Sequence, residues 1–221
     1  MKINIVIPAK GNSSRIQNKN MFRIGNKSLV YLACEKVLKC TNINKVYLDT
    51  ESTRIISDVQ DLTAQGLEII RRPLLLANND IGANEMMIYA LHSVDDCDLL
   101  LQTFCTSPLL THQTIDKCIE QFISEGYSKY DSFCTVTDMQ EYLWQNNKPI
   151  NFSKDKIPNS FELEKIQVET HGLYGIKVEA LIKNKTRVGE NLMLIRIPKL
   201  EAFDINEKED IKILERLYVT V

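Results

Sequence analysis

The residues best suited to chemistry lie just after the first apolar segment, which contains Ile3, Ile5 and Ile7 and ends at Pro8. The polar stretch that follows contains one glycine and three cations: Gly11, Lys10, Arg15 and Lys19. A glycine lets backbone N–H groups approach phosphate oxygens, and the cations neutralise phosphate charge. The stretch has neither GxxxxGK[ST] nor GxGxxG spacing. These residue types indicate a phosphate-binding loop of another kind, or alternatively a basic surface loop.

Two oxygen-bearing side chains near the C-terminus are candidate metal ligands. Asp204 ends an apolar segment, and Asn206 follows two residues later. Mg²⁺ is held in proteins by one or two carboxylates together with phosphate oxygens and water. Alternatively, either residue caps the helix that follows, since aspartate and asparagine are good N-caps.

Polar residues at other predicted strand ends are candidate acceptor contacts. Gln102 lies at the end of an apolar strand, where it can bond an acceptor or a nucleotide, or simply face solvent. His171, which follows Glu169 and Thr170, has a side chain suited to a general base, although a lone histidine in a turn is more often structural.

These candidates need a scaffold that brings strand ends together. Short apolar strands are predicted at 3–7, 45–49, 68–70, 98–102, 132–136, 172–178 and 192–197. Helices are predicted at 29–38, 53–64, 85–93, 114–124 and 210–218. This alternation predicts a three-layer α/β/α sandwich with a mostly parallel, Rossmann-like sheet in which 3–7 is a central strand. Such sheets bind ligands beyond the carboxyl ends of their strands.

Composition excludes several other classes of protein. With 221 residues and a hydrophobic fraction of 44%, the chain fits one soluble α/β domain. A net charge of −2 argues against nucleic acid or a membrane surface as a partner. The six cysteines form no CxxC pair, and residues 1–8 are too short for a secretory signal, so we expect a cytoplasmic protein.

The order of the motifs resembles that of the acylneuraminate cytidylyltransferases, the CMP-sialic acid synthetases. Pro8-Ala9-Lys10-Gly11 to Lys19-Asn20 is similar to their P-A-R-G-G-S-K-R-I-P-R-K-N signature. Four further segments resemble S-T-D, R-P-x-x-L-A, L-Q-P-T-S-P-L and D-I-D-T-E-E-D, in the same order: 49–51, 72–77, 101–109 and 204–210. The resemblance covers nearly the whole chain and implies one cytidylyltransferase domain over 1–221, of the nucleotide-diphospho-sugar transferase type.

The resemblance also implies roles for individual residues. CTP and a small acidic acceptor would be the substrates, with Mg²⁺ as the cofactor. Lys19, Arg15 and Asp204 would be catalytic, and Asp204 and Asn206 would ligate the metal. The nucleotide would be bound by Ala9, Lys10, Gly11, Asn12, Ser13, Asn20 and Arg72. The acceptor would be bound by Gln102, Thr106, Ser107, Glu169 and His171.

Four positions depart from the family pattern. Lys10 replaces an arginine and so lacks the bidentate fork, Ser14 replaces a lysine, and Asn206 replaces an aspartate. The family's R-[ST]-Q-D-L segment, whose arginine meets the sugar carboxylate, is here Asn159-Ser160-Phe161-Glu162-Leu163. We therefore expect CMP transfer to a nonulosonate or Kdo-like acid, with a phosphonate or another acidic acceptor as the alternative.

Two other functions and one assembly are also consistent with the sequence. A sugar-1-phosphate nucleotidyltransferase of different base specificity is one, although the G-x-G-T/S-R loop of that class is absent. A non-catalytic relative that binds nucleotide is the other.

By resemblance, residues 140–170 would form an excursion that builds a homodimer. Tyr142 and Trp144 in that segment are suited to dimer packing or to a local core.

Overall fold

The computed structural model describes residues 1–13, 16–78 and 80–219, which form eleven strands and six α-helices. The strands are β1 (Ile3–Pro8), β2 (Arg23–Ile24), β3 (Lys27–Ser28), β4 (Lys45–Thr50), β5 (Leu67–Arg71), β6 (Leu99–Thr103), β7 (Ser132–Met139), β8 (Trp144–Gln145), β9 (Lys148–Pro149), β10 (Ile166–Lys177) and β11 (Leu192–Arg196). The α-helices are α1 (Leu29–Leu38), α2 (Thr53–Asp58), α3 (Ala83–Leu91), α4 (His112–Gln121), α5 (Val178–Asn184) and α6 (Lys208–Val219). None of the helices described is long and apolar enough to span a membrane.

Seven of these strands form one sheet in the order β11-β7-β10-β6-β1-β4-β5. β1 pairs in parallel with both β4 and β6, which confirms it as a central strand. β10 pairs antiparallel with β6 and with β7, and it alone reverses the common strand direction. The amino-terminal end of β10 therefore lies at the same edge of the sheet as the carboxyl ends of β1 and β6.

Helices cover both faces of the sheet, which confirms the predicted three layers. The isoleucines of β1 contribute to a large cluster that includes residues of α1, α2, α4 and α6. Val6, on the opposite face of the same strand, packs in a second cluster with residues of α3 and α5. Every residue of β1 is buried, because a central parallel strand is covered on both sides.

The local sequence explains where some helices begin and where one prediction was wrong. α1 has the predicted bounds, and its N-cap Ser28 accepts a hydrogen bond from the Tyr31 N–H at 3.0 Å. The single helix predicted at 53–64 is instead α2 followed by a 3₁₀ helix at Gln60–Gln65. Val59, between them, is fully buried and leaves the helical region at φ −110° and ψ 11°. The chain therefore leaves α-helical geometry at a buried residue, where periodicity alone would continue the helix.

The excursion between β7 and β10 contains the small hairpin β8–β9 and a 3₁₀ turn at Ser160–Glu162. Trp144 is 54% exposed, and Tyr142 and Trp144 both make edge-on contacts with Phe152. β10 begins at Ile166, earlier than the strand predicted at 172–178. Its additional residues pair with β7 and continue that ladder into the excursion.

Candidate active site

The glycine stretch follows β1 and lies against the end of β4. Ala9 N–H donates to the Asp49 carbonyl at 2.9 Å, and Gly11 N–H donates to Glu51 Oε1 at 2.6 Å. A Cβ added at Gly11 would come within 2.8 Å of the Ser52 Cβ, so a larger residue here would displace the loop. The predicted residues Ser14 and Arg15 lie outside the described residues.

A cavity of about 150 Å³ lies beyond the carboxyl ends of β1 and β6. Its lining residues come from separate segments of the chain: Pro8, Lys10, Ser13, Lys19, Asn20, Arg72, Met86 and Phe104. Five of these are predicted nucleotide-binding or catalytic residues. A larger hollow of about 490 Å³, which includes Lys2 and Asn44, lies at the opposite edge of the sheet. We assign the site to the smaller cavity because α/β sheets bind ligands at their carboxyl edge.

Arg72 is held by a buried ion pair at one wall of this cavity. Its Nε and Nη2 donate to Asp49 Oδ1 and Oδ2 at 3.0 and 2.7 Å, and both side chains are fully buried. Burial raises the pKa of the Asp49 carboxyl, and the adjacent guanidinium opposes that rise. Nη1 of Arg72 is buried without a hydrogen-bond partner. The pair therefore fixes the arginine and leaves one nitrogen for a further acceptor.

Lys10 and Asn20 are tied to each other and to the loop around the cavity. Asn20 is buried, and its Nδ2 donates to the Lys10 carbonyl at 2.9 Å. Lys10 Nζ donates to the carbonyl of Asn78. Burial, with the charge of Arg72 as the next cause, lowers the pKa of Lys10. Two cations at one cavity destabilise each other, and an anionic ligand would relieve that repulsion.

Lys19 connects the cavity to the segment around Asp204. Its Nζ donates to the Ile205 carbonyl at 2.9 Å, and Ile205 N–H donates to the Thr106 carbonyl at 2.9 Å. Asn206 Nδ2 donates to Asp204 Oδ2 at 2.8 Å, whereas Asp204 Oδ1 is buried without a partner. The two predicted metal-binding side chains are therefore neighbours close to a predicted catalytic lysine.

Helix capping by Asp204 or Asn206 remains the alternative prediction, and a third side chain also contacts the backbone here. Asp210 Oδ2 accepts from the backbone N–H groups of Asn206 and Glu207, each at 2.7 Å, at the start of α6. Among the described residues, no group of three or more His, Cys, Asp or Glu side chains is arranged to hold a metal ion. A Mg²⁺ site here would need phosphate oxygens and water to complete its coordination.

Gln102 and Glu169 meet around an arginine that the sequence did not single out. Arg187, between α5 and β11, has Nη1 3.2 Å from Gln102 Oε1 and Nη2 3.7 Å from Glu169 Oε1. The guanidinium carbon lies 3.7 Å from the ring centroid of Tyr174. One signal was available: Arg187 is the single arginine between positions 73 and 195, in a chain that lacks the family's motif arginine.

None of the five predicted acceptor residues is among those that line the cavity, and the remaining three are Thr106, Ser107 and His171. The Ser107 carbonyl accepts a hydrogen bond from Lys36 Nζ at 2.8 Å, and the Thr106 carbonyl accepts one from the Ile205 N–H. The main chain of both residues therefore helps to fix the fold around the site. His171 is exposed and lies in an irregularity of β10, with φ 54°. That backbone region is uncommon for residues other than glycine.

Comparison with known proteins places this geometry in a family. A family model for cytidylyltransferases matches residues 4–188. A pseudaminic acid cytidylyltransferase and UDP-2,4-diacetamido-2,4,6-trideoxy-beta-L-altropyranose hydrolase of Helicobacter pylori is 21% identical over 93% of this chain, which spans only 40% of that protein. A 3-deoxy-manno-octulosonate cytidylyltransferase of Thermodesulfovibrio yellowstonii is 21% identical, with 96% of each chain covered.

A solved structure supports the fold. CMP:2-keto-3-deoxy-manno-octonic acid synthetase complexed with CTP superposes with a TM-score of 0.70 at 13% identity, covering 100% of this chain and 99% of that one. At this identity the likeness concerns the fold alone, and it agrees with the predicted nucleotide-diphospho-sugar transferase architecture. The family match over most of the chain shows that this protein belongs to the cytidylyltransferases and is a CTP-dependent nucleotidyltransferase.

Proposed function

We propose that this enzyme transfers CMP from CTP to an acidic sugar and releases pyrophosphate, as predicted from the sequence. One observation carries the proposal: Lys10 and Lys19 of the loop after β1, and Arg72 after β5, line one cavity at the carboxyl edge of the sheet. Relatives named for pseudaminic acid and for an octulosonate support an acidic sugar as the acceptor. The narrower resemblance to enzymes of sialic acid remains a prediction.

The reaction needs positioning and charge neutralisation more than covalent catalysis. An acceptor hydroxyl oxygen attacks the α-phosphorus of CTP and loses its proton, while the bond from that phosphorus to the β-phosphate oxygen breaks. Negative charge accumulates on the departing pyrophosphate. Lys19, an ammonium with three donors, stabilises that charge, and Lys10 binds the phosphates from the other side of the loop.

The cytidine end of the nucleotide is bound by Asn20 and Arg72 in this proposal. The bidentate pair with Asp49 orients the Arg72 guanidinium, and the unpartnered Nη1 supplies a donor for a carbonyl acceptor such as that of cytosine. At about 150 Å³ the cavity holds part of a nucleoside triphosphate, since typical ligand sites measure roughly 300–1,000 Å³.

Asp204 and Asn206 would hold Mg²⁺. The fit rests on Asp204 Oδ1, a buried oxygen without a partner, and on the adjacent amide, whose oxygen is also a suitable ligand. When bound, the ion supplies positive charge to the triphosphate. Asn206 provides a weaker ligand than the aspartate of the family pattern.

Gln102 and Glu169, which both contact Arg187, are proposed acceptor contacts. Thr106, Ser107 and His171 remain predicted acceptor contacts, with His171 as the candidate general base.

We also propose a homodimer formed through the excursion at 140–170. Four large apolar side chains of this segment, Trp144, Ile150, Ile157 and Phe161, are 54–75% exposed, and burial against a second copy would remove them from water. Light scattering at micromolar concentration should show a dimer, and Phe161→Asp with Ile157→Asp should shift it towards monomer. A monomeric unmodified protein would contradict this assembly.

The activity is tested by pyrophosphate release with each of the four nucleoside triphosphates, combined with Kdo, pseudaminic acid, sialic acid and a phosphonate. We expect release with CTP and at least one acidic sugar. Release with a phosphonate alone would replace the proposed acceptor, and release with another triphosphate would replace the proposed nucleotide.

A further inference from the structure

Arg187 has surroundings unlike those of an ordinary structural arginine. Its side chain is 15% exposed. The Gln102 amide oxygen, the Tyr174 ring and the Phe104 ring lie around its guanidinium, the last at 5.7 Å. Its backbone N–H donates to Asn84 Oδ1 at 3.0 Å, which attaches this segment to α3. Contacts from α3, β6 and β10 therefore orient one guanidinium.

The charge of Arg187 is paired with a carboxylate only at long distance. Glu169 Oε1 is 3.7 Å away, and the same oxygen accepts a hydrogen bond from the Tyr174 hydroxyl. By contrast, Arg72 makes two bonds of 3.0 and 2.7 Å with one carboxylate. A largely buried guanidinium is costly unless an anion pairs with it, and its fork matches a carboxylate in bidentate geometry.

The position of Arg187 relates it to the acceptor. Phe104 lines the cavity that contains Lys10 and Lys19, and the same ring packs beside the Arg187 guanidinium. Met86 also lines that cavity and lies on the helix to which Arg187 is attached. An acceptor attacking the α-phosphorus must lie next to the triphosphate, and an acceptor on the Phe104 side of the cavity would lie near Arg187.

We propose that Arg187 binds the carboxylate of the acidic acceptor, the role that the family motif gives to an arginine at a position where this chain has Asn159. Gln102 and Tyr174 are positioning residues that hold the guanidinium. This inference rests on the proposed function, because it requires an acidic sugar as the substrate.

The test compares an acidic acceptor with its neutral methyl ester in the unmodified enzyme and in Arg187→Met, which keeps most of the side-chain volume. We expect kcat/KM for the acid to fall roughly 30- to 100-fold, mainly through KM, as for a lost charge-assisted bidentate contact. The values for the ester and the KM for CTP should change less than about threefold. Arg187→Lys should recover part of the preference for the acid.

The control is Arg23→Met, which removes an arginine from an exposed pair with Asp58, at 2.6 Å, on a different part of the surface. It should leave the ratio of acid to ester unchanged. An Arg187→Met enzyme that loses activity equally on acid and ester would show a structural role and overturn the inference, while the proposed function would stand. An unmodified enzyme that uses no acidic sugar would overturn the proposed function, and this inference with it.

Discussion

Arg72 and Arg187, which we propose for the nucleotide and the acceptor, are held in opposite ways. Arg72 is fully buried in a bidentate pair with Asp49. Arg187 is 15% exposed, and its contacts are an amide, two rings and a carboxylate at 3.7 Å. The proposed nucleotide contact is therefore firmly paired within the protein, whereas the proposed acceptor contact has a longer and weaker ion pair. Such a difference would suit an enzyme that binds one nucleotide tightly and must exchange its acceptor.

The largest expected effect comes from breaking the buried ion pair between Arg72 and Asp49. Asp49→Ala would leave Arg72 as a buried, unpaired charge, so we expect a loss of about 3–5 kcal/mol in the free energy of unfolding. Glu169→Ala, the matching change beside Arg187, should cost only about 1–2 kcal/mol, because that pair is looser and half-exposed. Urea denaturation measures both. Equal losses would refute the contrast between the two sides.

The next largest effect concerns the catalytic role proposed for Lys19, whose Nζ connects the loop to the Ile205 carbonyl. Lys19→Ala should lower kcat/KM by roughly a hundredfold, or about 3 kcal/mol of transition-state stabilisation, because the departing pyrophosphate loses its cation. Stability should change much less than in Asp49→Ala, since a partly exposed lysine contributes little to folding. Lys129→Ala, at an exposed turn, serves as the control in the same pyrophosphate assay. Comparable activity of the two variants would remove Lys19 from the mechanism.

The shift in melting temperature caused by CTP tests the proposed nucleotide contacts without changing a catalytic residue. At a free CTP concentration of about 100 Kd, the folded state should gain about 2.7 kcal/mol, and the melting temperature should rise accordingly. ATP, GTP and UTP should give smaller shifts. Arg187→Met should preserve the CTP shift if the two sides work separately. Equal shifts with all four nucleotides would contradict base recognition by Asn20 and Arg72.

The smallest effect tests the metal assignment. Asp204→Asn keeps an oxygen ligand but drops the charge, so we expect about a tenfold loss of rate, near 1.4 kcal/mol, and a higher Mg²⁺ requirement. Asn206→Asp restores the family pattern and should lower that requirement. A magnesium titration of activity measures both. An Asp204→Asn enzyme with full activity and unchanged Mg²⁺ dependence would leave Asp204 with a purely structural role.

Local sequence predicted the parts of the fold that depend on local signals. The isoleucines of β1 and the apolar residues of α1 identify those elements without knowledge of their neighbours. The break at Val59 depends on the core that receives its side chain, and the full length of β10 depends on pairing with β7. Neither is contained in a short window of sequence.

The site was predictable to the extent that its residues lie in ordered motifs. The cavity brings together Lys10, Lys19, Asn20 and Arg72, as the motif order implied. Arg187 was missed because its environment is tertiary: Gln102, its hydrogen-bond partner, lies 85 positions earlier in the chain. Arg187 lies in none of the sequence motifs. The contacts on which its proposed role depends exist only in the folded chain.

The bond from Lys19 to the Ile205 carbonyl joins residues 186 positions apart. Translation therefore adds Lys19 to the chain long before it adds Ile205, and this contact can form only after most of the intervening chain has been synthesised. All seven strands of the central sheet precede Asp204 in the sequence. The scaffold is thus synthesised before the segment to which we assign the metal.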